Sequence, residues 1–280
     1  MKQSQSTVEI LIVGNELLNG TTLDTNSHWL SKQLVKIGAT VTRKETISDN
    51  LKEISKAFKA ALGRKPSWIF SLGGLGPTYD DMTLEGLAMA LGREIERNED
   101  AVKMIKERYK LRREANPDLP KRILPASLKM ADIPRGAIPL RNSAGTAPGV
   151  LFRKGSTRIV SLPGVPREMK AIFAEQVAPL LKEDIAKFGR SETWLNVSGI
   201  SESMVAPHIQ RLMRSSPSHI YIKSHPVGFR KGLSILKFQI SATFSAENRE
   251  QAKYDLKRVA GEMERIVRKL GGNVDARSIK

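Results

Sequence analysis

Two short apolar runs end directly on glycine, and an amphipathic helical period follows each. Val8-Glu9-Ile10-Leu11-Ile12-Val13 runs into Gly14, and Trp68-Ile69-Phe70-Ser71-Leu72 runs into Gly73-Gly74. Between them, Trp29, Leu30, Gln33, Leu34 and Ile37 sit at helical spacing up to Gly38, and Thr40 to Ile47 reads as a strand. Leu51, Ile54, Phe58, Ala61 and Leu62 then mark a helix that stops at Gly63. Met82 to Leu91 is a further helix, ending at Gly92. Strands that alternate with helices imply an α/β fold with parallel strands and right-handed crossovers. The loops after the first and third strands then open on one edge of the sheet, where such proteins bind ligands.

Asn98 to Glu114 reads as a charged helix, followed by a Pro-rich stretch from Pro117 to Pro139, together an insertion or arm packed on the core. Gly149 to Phe152 and Arg158 to Leu162 read as strands, and a helix from Pro166 carries Met169, Phe173, Val177 and Leu181. Beyond about residue 185 the order becomes strand, helix, strand, strand, long helix, the pattern of a small α+β module. The expected domains are 1–184 and 185–280.

The chain has no cysteine, which excludes disulfides, cysteine nucleophiles and any thiolate metal site, and fits a reducing, cytoplasmic setting. Met1 to Ser6 is a polar lead-in without the apolar stretch of a signal peptide, and no apolar run approaches the ~20 residues of a membrane helix. No membrane partner is expected. The net charge of +17 divides into +8 for residues 1–184 and +9 for the shorter remainder. A basic surface attracts nucleic acid or anionic metabolites, but the charges lack aromatic interleaving, so nucleic acid is not the favoured partner.

The first loop is Gly14-Asn15-Glu16-Leu17-Leu18-Asn19-Gly20, followed by Asp24-Thr25-Asn26 at a helix start. Glycine lets the backbone approach a ligand closely, and Asp24, Thr25 or Asn26 suits a helix cap. Glu16, a carboxylate at the ligand edge, is a candidate to hold a divalent cation or orient a hydroxyl. The second loop, Gly73-Gly74-Leu75-Gly76-Pro77-Thr78-Tyr79-Asp80-Asp81, supplies flexible backbone and amides beside a helix N-terminus, which suits a phosphate. It matches neither the Walker loop nor the dinucleotide fingerprint. Asp80 and Asp81 would repel a bare phosphate, a conflict that a bridging Mg²⁺-like ion resolves. The simpler alternative has Asp81 capping the helix and Asp80 solvated. Asn142 to Gly149 and Leu162 to Pro166 are Gly/Pro turns. Asp49 by itself reads as a helix cap. Histidines 28, 208, 219 and 225 have no zinc-site spacing.

Taken in order, GNELLNG, DTN, GGLGPTYDDMT, GTAPG and LPGVP resemble the N-terminal domain of the CinA family, whose relatives include the molybdopterin-binding proteins MoaB and MogA. The tail resembles, by pattern alone, the smaller KH-like α+β domain that follows in that family. The resemblance implies a three-layer αβα domain with a mainly parallel sheet. It also implies metal-dependent (Mg, Mn or Co) hydrolysis of a nucleoside-diphosphate sugar such as ADP-ribose. By motif, Asp81, Asp49 and Asp80 take the catalytic positions, and Glu16, Asp24, Asp80 and Asp81 the metal positions. Gly73, Gly74, Gly76 and Thr78 are expected at the ligand phosphates, with Gly14 and Pro77 among the other ligand-binding residues. Asn26, Asn142, Ser143, Gly145, Thr146, Pro163 and Gly164 are expected to frame the rest of a phosphorylated nucleotide or pterin ligand.

The amidohydrolase domain often found after these two has no counterpart before Lys280, so deamidase activity is not expected of these residues. The alternatives are molybdopterin binding or adenylyl transfer, and nucleic-acid binding by the basic tail. Against the last, residues 185–280 hold no G-x-x-G loop: Gly199-Ile200-Ser201-Glu202 fails at its last position. The tail is expected to serve as a dimerisation or packing module, making the protein a homo-oligomer.

Overall fold

The computed structural model describes residues 6–116, 123–185, 188–230, 233–245 and 247–279. The chain divides into two compact units, residues 2–185 and 186–280. The first opens with β1 (Thr7–Val13), α1 (Asn15–Leu18), α2 (Thr25–Ile37), β2 (Thr40–Ile47), α3 (Leu51–Arg64), β3 (Trp68–Leu72) and α4 (Thr83–Leu91). It continues with β4 (Ile95–Arg97), α5 (Glu99–Ala115), α6 (Pro125–Leu128), β5 (Asp132–Pro134), β6 (Ile138–Leu140), β7 (Gly149–Lys154) and β8 (Thr157–Leu162). It closes with α7 (Pro166–Ile172), which passes through a π-helical turn at Phe173–Val177 into α8 (Ala178–Ile185).

The main sheet has the order β2-β1-β3-β8-β7-β6. Its first four strands are parallel, and the β8-β7-β6 end is antiparallel. Successive side chains of a strand point to opposite faces, so each central strand feeds two layers. Leu11, Val13 and Ile69 pack with Ile54 and Phe58 of α3, Leu84 and Leu87 of α4, and Ala101 and Ile105 of α5. On the other face, Phe70 and Trp29 of α2 both meet the Phe173 ring, at centroid distances of 6.2 and 5.6 Å. Trp68, Phe70, Phe58 and Ile10 are fully buried, each contributing about 1.5–3 kcal/mol. This is a three-layer α/β unit with a mainly parallel sheet. The expected arm is part of its core, since α5 and β5, which pairs with β4, bury Ala101, Val102, Ile105 and Ile133.

One charge pair lies inside this unit. Glu9 of β1 is 3% exposed and accepts from Arg64 Nε at 2.7 Å and Nη2 at 2.6 Å. The two-pronged bond to Glu9 raises the Arg64 pKa above its ordinary value, against the opposing effect of burial.

The second unit contains β9 (Phe188–Ser198), α9 (Glu202–Ser215), β10 (Ile220–Arg230), β11 (Leu233–Ser245), α10 (Arg249–Lys269) and β12 (Asn273–Ile279). Its sheet is antiparallel throughout, in the order β10-β11-β9-β12. The succession βαββαβ is that of the ferredoxin-like motif, where a KH-like module was expected. The difference lies in β12, which pairs with β9 and follows Gly271-Gly272. Val205 and Leu212 of α9 and Leu256, Val259 and Met263 of α10 share one core with Leu195, Val197, Leu236, Phe238 and Ile240. Both helices therefore cover the same face of the sheet. Among the described residues, no helix is long and apolar enough to cross a membrane.

Candidate functional site

The ends of β1, β3 and β8 meet through glycine. Gly73 has φ +96°, and a Cβ there would stand 2.4 Å from the Val13 carbonyl oxygen. Its N–H donates to Leu162 O at 3.0 Å. A Cβ on Gly164 would lie 3.4 Å from the Gly73 Cα. No side chain separates the three strand ends, and the loops that leave them surround one cavity of ≈ 590 Å³.

The glycine turn is set by Thr83 at the start of α4. Its hydroxyl donates to Gly73 O at 2.9 Å and its N–H to Gly74 O at 3.2 Å. These bonds satisfy the carbonyls of Gly73 and Gly74 and leave amide donors over. The N–H groups of Gly74, Leu75 and Gly76 have no partner among the described residues. Three adjacent amide donors of this kind, with Gly74 in the left-handed region at φ +66°, are the makings of an anion nest.

Beside these donors stand two carboxylates. The Thr78 hydroxyl lies 2.6 Å from Asp80 Oδ1 and also contacts Asp81 Oδ2, which accepts the Thr78 N–H at 2.9 Å. Asp81 does not cap α4, which has no side-chain cap. Both Thr78 contacts fall on Oδ2, so Asp81 Oδ1 is left without a described hydrogen bond. The Lys129 ammonium donates to the carbonyls of Thr78 (2.7 Å) and Asp81 (2.6 Å), clamping the turn. The Thr78 hydroxyl, and then the Asp80 N–H, hold the Asp80 carboxyl below its ordinary pKa.

The first loop is tied to the same edge. Asp49 Oδ2 accepts the Asn15 N–H at 2.7 Å, and Asn15 Oδ1 accepts the Asp49 N–H at 3.3 Å. The cap of α3 is Asn50, not Asp49. The Glu16 carboxylate folds back over Gly14, where a Cβ would come within 2.6 Å of it. Asp24 caps α2 and turns both oxygens to Ser27, a structural task that its place on the cavity wall comes with. Asn26 Nδ2 donates to Gly164 O at 2.6 Å, while its buried Oδ1 has no partner.

Gly14, Glu16, Asp24, Asn26, Asp49, Gly73, Gly74, Gly76, Pro77, Thr78, Asp80, Asp81, Thr146, Pro163 and Gly164 all line the cavity. Asn142, Ser143 and Gly145 do not; they line a neighbouring hollow of ≈ 440 Å³ that shares Thr146. Asn142 is occupied with the turn itself. Its Oδ1 accepts from Ala144 and Gly145, and its Nδ2 donates to Ala147 O and Glu168 Oε2. Ser143 donates to Glu175. Sequence reasoning missed Tyr109, Arg112, Ser127, Met130 and Glu168 of the cavity wall. Among the described residues, Arg112, which donates to Thr146 Oγ1 at 3.2 Å, is the one cationic side chain on the lining, against six carboxylates. Nothing in the spacing of α5 marks Arg112 among its many basic neighbours.

Among the described residues, no three His, Asp or Glu side chains converge as a preformed metal cage. Glu16, Asp24, Asp80 and Asp81 therefore do not form one together.

Residues 9–183 match the family described as a probable molybdopterin binding domain. The chain belongs to that family. Among solved structures, the match includes the protein CinA of Thermoplasma acidophilum, with 38% identity and a TM-score of 0.56, covering 65% of this chain and 98% of the other. Relatives similar over nearly the whole length include proteins of Metallosphaera sedula and Pyrobaculum arsenaticum. The first is 40% identical over 269 residues, 96% of this chain and 97% of the relative. The second is 43% identical over 258 residues, 92% of each. The family match covers the glycine turn, the carboxylates and α5 together, so it spans every residue of the cavity wall.

Proposed function

We propose that the first unit binds a phosphorylated nucleotide or pterin in this cavity and, with a divalent cation, hydrolyses a nucleoside-diphosphate sugar such as ADP-ribose. The observation that carries this reading is the adjacency of three unpaired amide donors, on Gly74, Leu75 and Gly76, to Asp80 and Asp81. Donors suit phosphate oxygens, and carboxylates suit the cation that neutralises them. A cation of the Mg²⁺ type is commonly held by one or two carboxylates, with substrate phosphates and water supplying the rest. The donor set fits such an ion better than a caged one. Asp80 and Asp81 would hold it, with Glu16 the further candidate. When bound, the ion polarises the diphosphate and lowers the pKa of water.

The chain's own residues divide the remaining work. Asp81 Oδ1 is placed to take a ligand or a water proton. The nest amides hold phosphate oxygens. Asp49 fixes the first loop, Asn26 Oδ1 accepts from a ligand hydroxyl or amine, and Arg112 offsets charge at the far wall. Release of AMP from ADP-ribose, measured with Mg²⁺, Mn²⁺ and Co²⁺ in turn, tests the reading. Metal-dependent turnover that Asp81→Ala removes supports it, and no turnover with any of the three sinks it.

A second reading, molybdopterin binding or adenylyl transfer, is favoured by the family match itself. Pterin fluorescence co-purifying with the protein, or tight pterin binding without diphosphate hydrolysis, would replace the first reading with this one.

A further inference from the structure

The second unit leaves one face of its sheet without a helix of its own. Along β9, Thr193, Leu195 and Val197 enter the core, so Glu192, Trp194 and Asn196 face away from it. The register places Lys237, Gln239 and Ser241 of β11 opposite Asn196, Trp194 and Glu192. It places Tyr221, Lys223 and His225 of β10 opposite Ser241, Gln239 and Lys237. One face thus collects two aromatic rings, an imidazole and two lysines that the linear sequence scatters over some 40 residues.

The side chains are ordered as a platform. The Trp194 and His225 rings lie 5.3 Å apart at an interplanar angle of 33°. Trp194 Nε1 donates to Glu192 Oε1 at 2.9 Å, and Gln239 Nε2 donates to Glu192 Oε2 at 2.7 Å. Glu192, an acidic group of this face, is offset by Arg190 at 3.8 Å. Lys223 and Lys237 are exposed and form no ion pair with the described residues. Tyr221 is 56% exposed. Flat rings amid unpaired cations suit a ligand that is a π-face and a negative charge in alternation. That is the chemistry of a single-stranded nucleic acid: bases stack on rings, and phosphates meet lysine. A βαββαβ unit with aromatics on its open sheet face is one known way to bind unpaired bases. The net charge of +9 over residues 185–280 has the complementary sign.

We propose that the open face of the β10-β11-β9-β12 sheet binds single-stranded nucleic acid, with bases stacking on Trp194 and Tyr221 beside His225 and phosphates held by Lys223 and Lys237. This rests on nothing in the cavity of the first unit. It also revises the expectation that the basic tail lacks aromatic interleaving: the interleaving exists across strands, not along the chain.

The test is fluorescence anisotropy of the full chain with labelled oligouridine and oligothymidine strands of about 12 nucleotides, and with a duplex of the same length, at about 50 and about 200 mM salt. The expected result is tighter binding of single strands than of duplex. Trp194→Ala should weaken it by roughly 5- to 100-fold at unchanged charge, as loss of one stacked base requires. Trp194→Phe, which keeps a ring, should retain most of the affinity, and Lys223→Glu with Lys237→Glu should flatten the salt dependence. Preference for RNA would assign a contact to the 2′-hydroxyl and equal affinity would not; both support the site. Failure to bind overturns it. So does binding in which duplex competes equally and neither Trp194→Ala nor the lysine pair changes it, because that is nonspecific attraction. If Trp194→Ala does not fold, the duplex competition and the lysine pair still decide.

Discussion

In residues 2–185 helices cover both faces of the sheet, so a ligand finds backbone and side chains only where the strands end. In the second unit α9 and α10 share one face, and a whole sheet surface is left for contact. The first arrangement gathers loops around a hollow lined, among the described residues, by six carboxylates and one arginine. The second spreads rings and lysines over a plane. Both units carry a similar net positive charge, +8 and +9, yet their candidate surfaces have opposite character. Net charge therefore does not tell the two sites apart; the number of layers determines where a site can be, and the local side chains determine its sign.

Substitutions in each unit put that contrast to the test. Asp81→Ala should reduce diphosphate turnover by about 10²-fold or more, while leaving oligonucleotide anisotropy on the second unit unchanged. Loss of both signals would mean that the two surfaces are coupled and the contrast is wrong. Gly73→Ala brings a Cβ to 2.4 Å from a backbone oxygen at φ +96°, so denaturant unfolding should show a loss of about 3 kcal/mol. Gly228→Ala in the second unit meets open space at φ +127° and should cost about 1 kcal/mol. Equal costs at the two glycines would show that the strand ends of the first unit are not closely seated. Arg64→Ala, which strands the buried Glu9 carboxylate, should cost about 3 kcal/mol in the same assay.

The smallest effect concerns Asp80. Its carboxyl titrates below the ordinary range because the Thr78 hydroxyl bonds to it. A depressed pKa contributes stability that is fully present above the unfolded pKa and is lost as pH falls through the folded one. Thr78→Val should return the Asp80 midpoint toward the ordinary value, as read by NMR titration. An unmoved midpoint would assign the shift to Lys129 and the backbone.

How much of this was legible depended on whether a residue's role was local. β1 and β3 were legible because β-branched and aromatic runs ending on glycine have few other uses. The glycine turn was legible because its donors lie next to one another in sequence. The roles of Asp24, Asp49 and Asn142 were less so. All three are polar residues near turns, and only the fold decides that Asp24 closes on Ser27, Asp49 on Asn15 and Asn142 on its own loop. Arg112 was illegible because an exposed basic helix offers several equivalent positions until one face packs. Trp194 and His225 were illegible as a pair because their proximity depends on strand register.

The seat of Gly73 on Val13 and Gly164 has a mechanical consequence. Where three strand ends touch backbone to backbone, there is no soft layer to absorb movement, so the loops they carry shift together or not at all. Adaptation to a new ligand then falls to the side chains of the remaining wall, Tyr109 and Arg112 of α5 with Ser127, Met130 and Glu168. Exchanging those side chains is the route by which the same rigid jaw would be fitted to a different cargo.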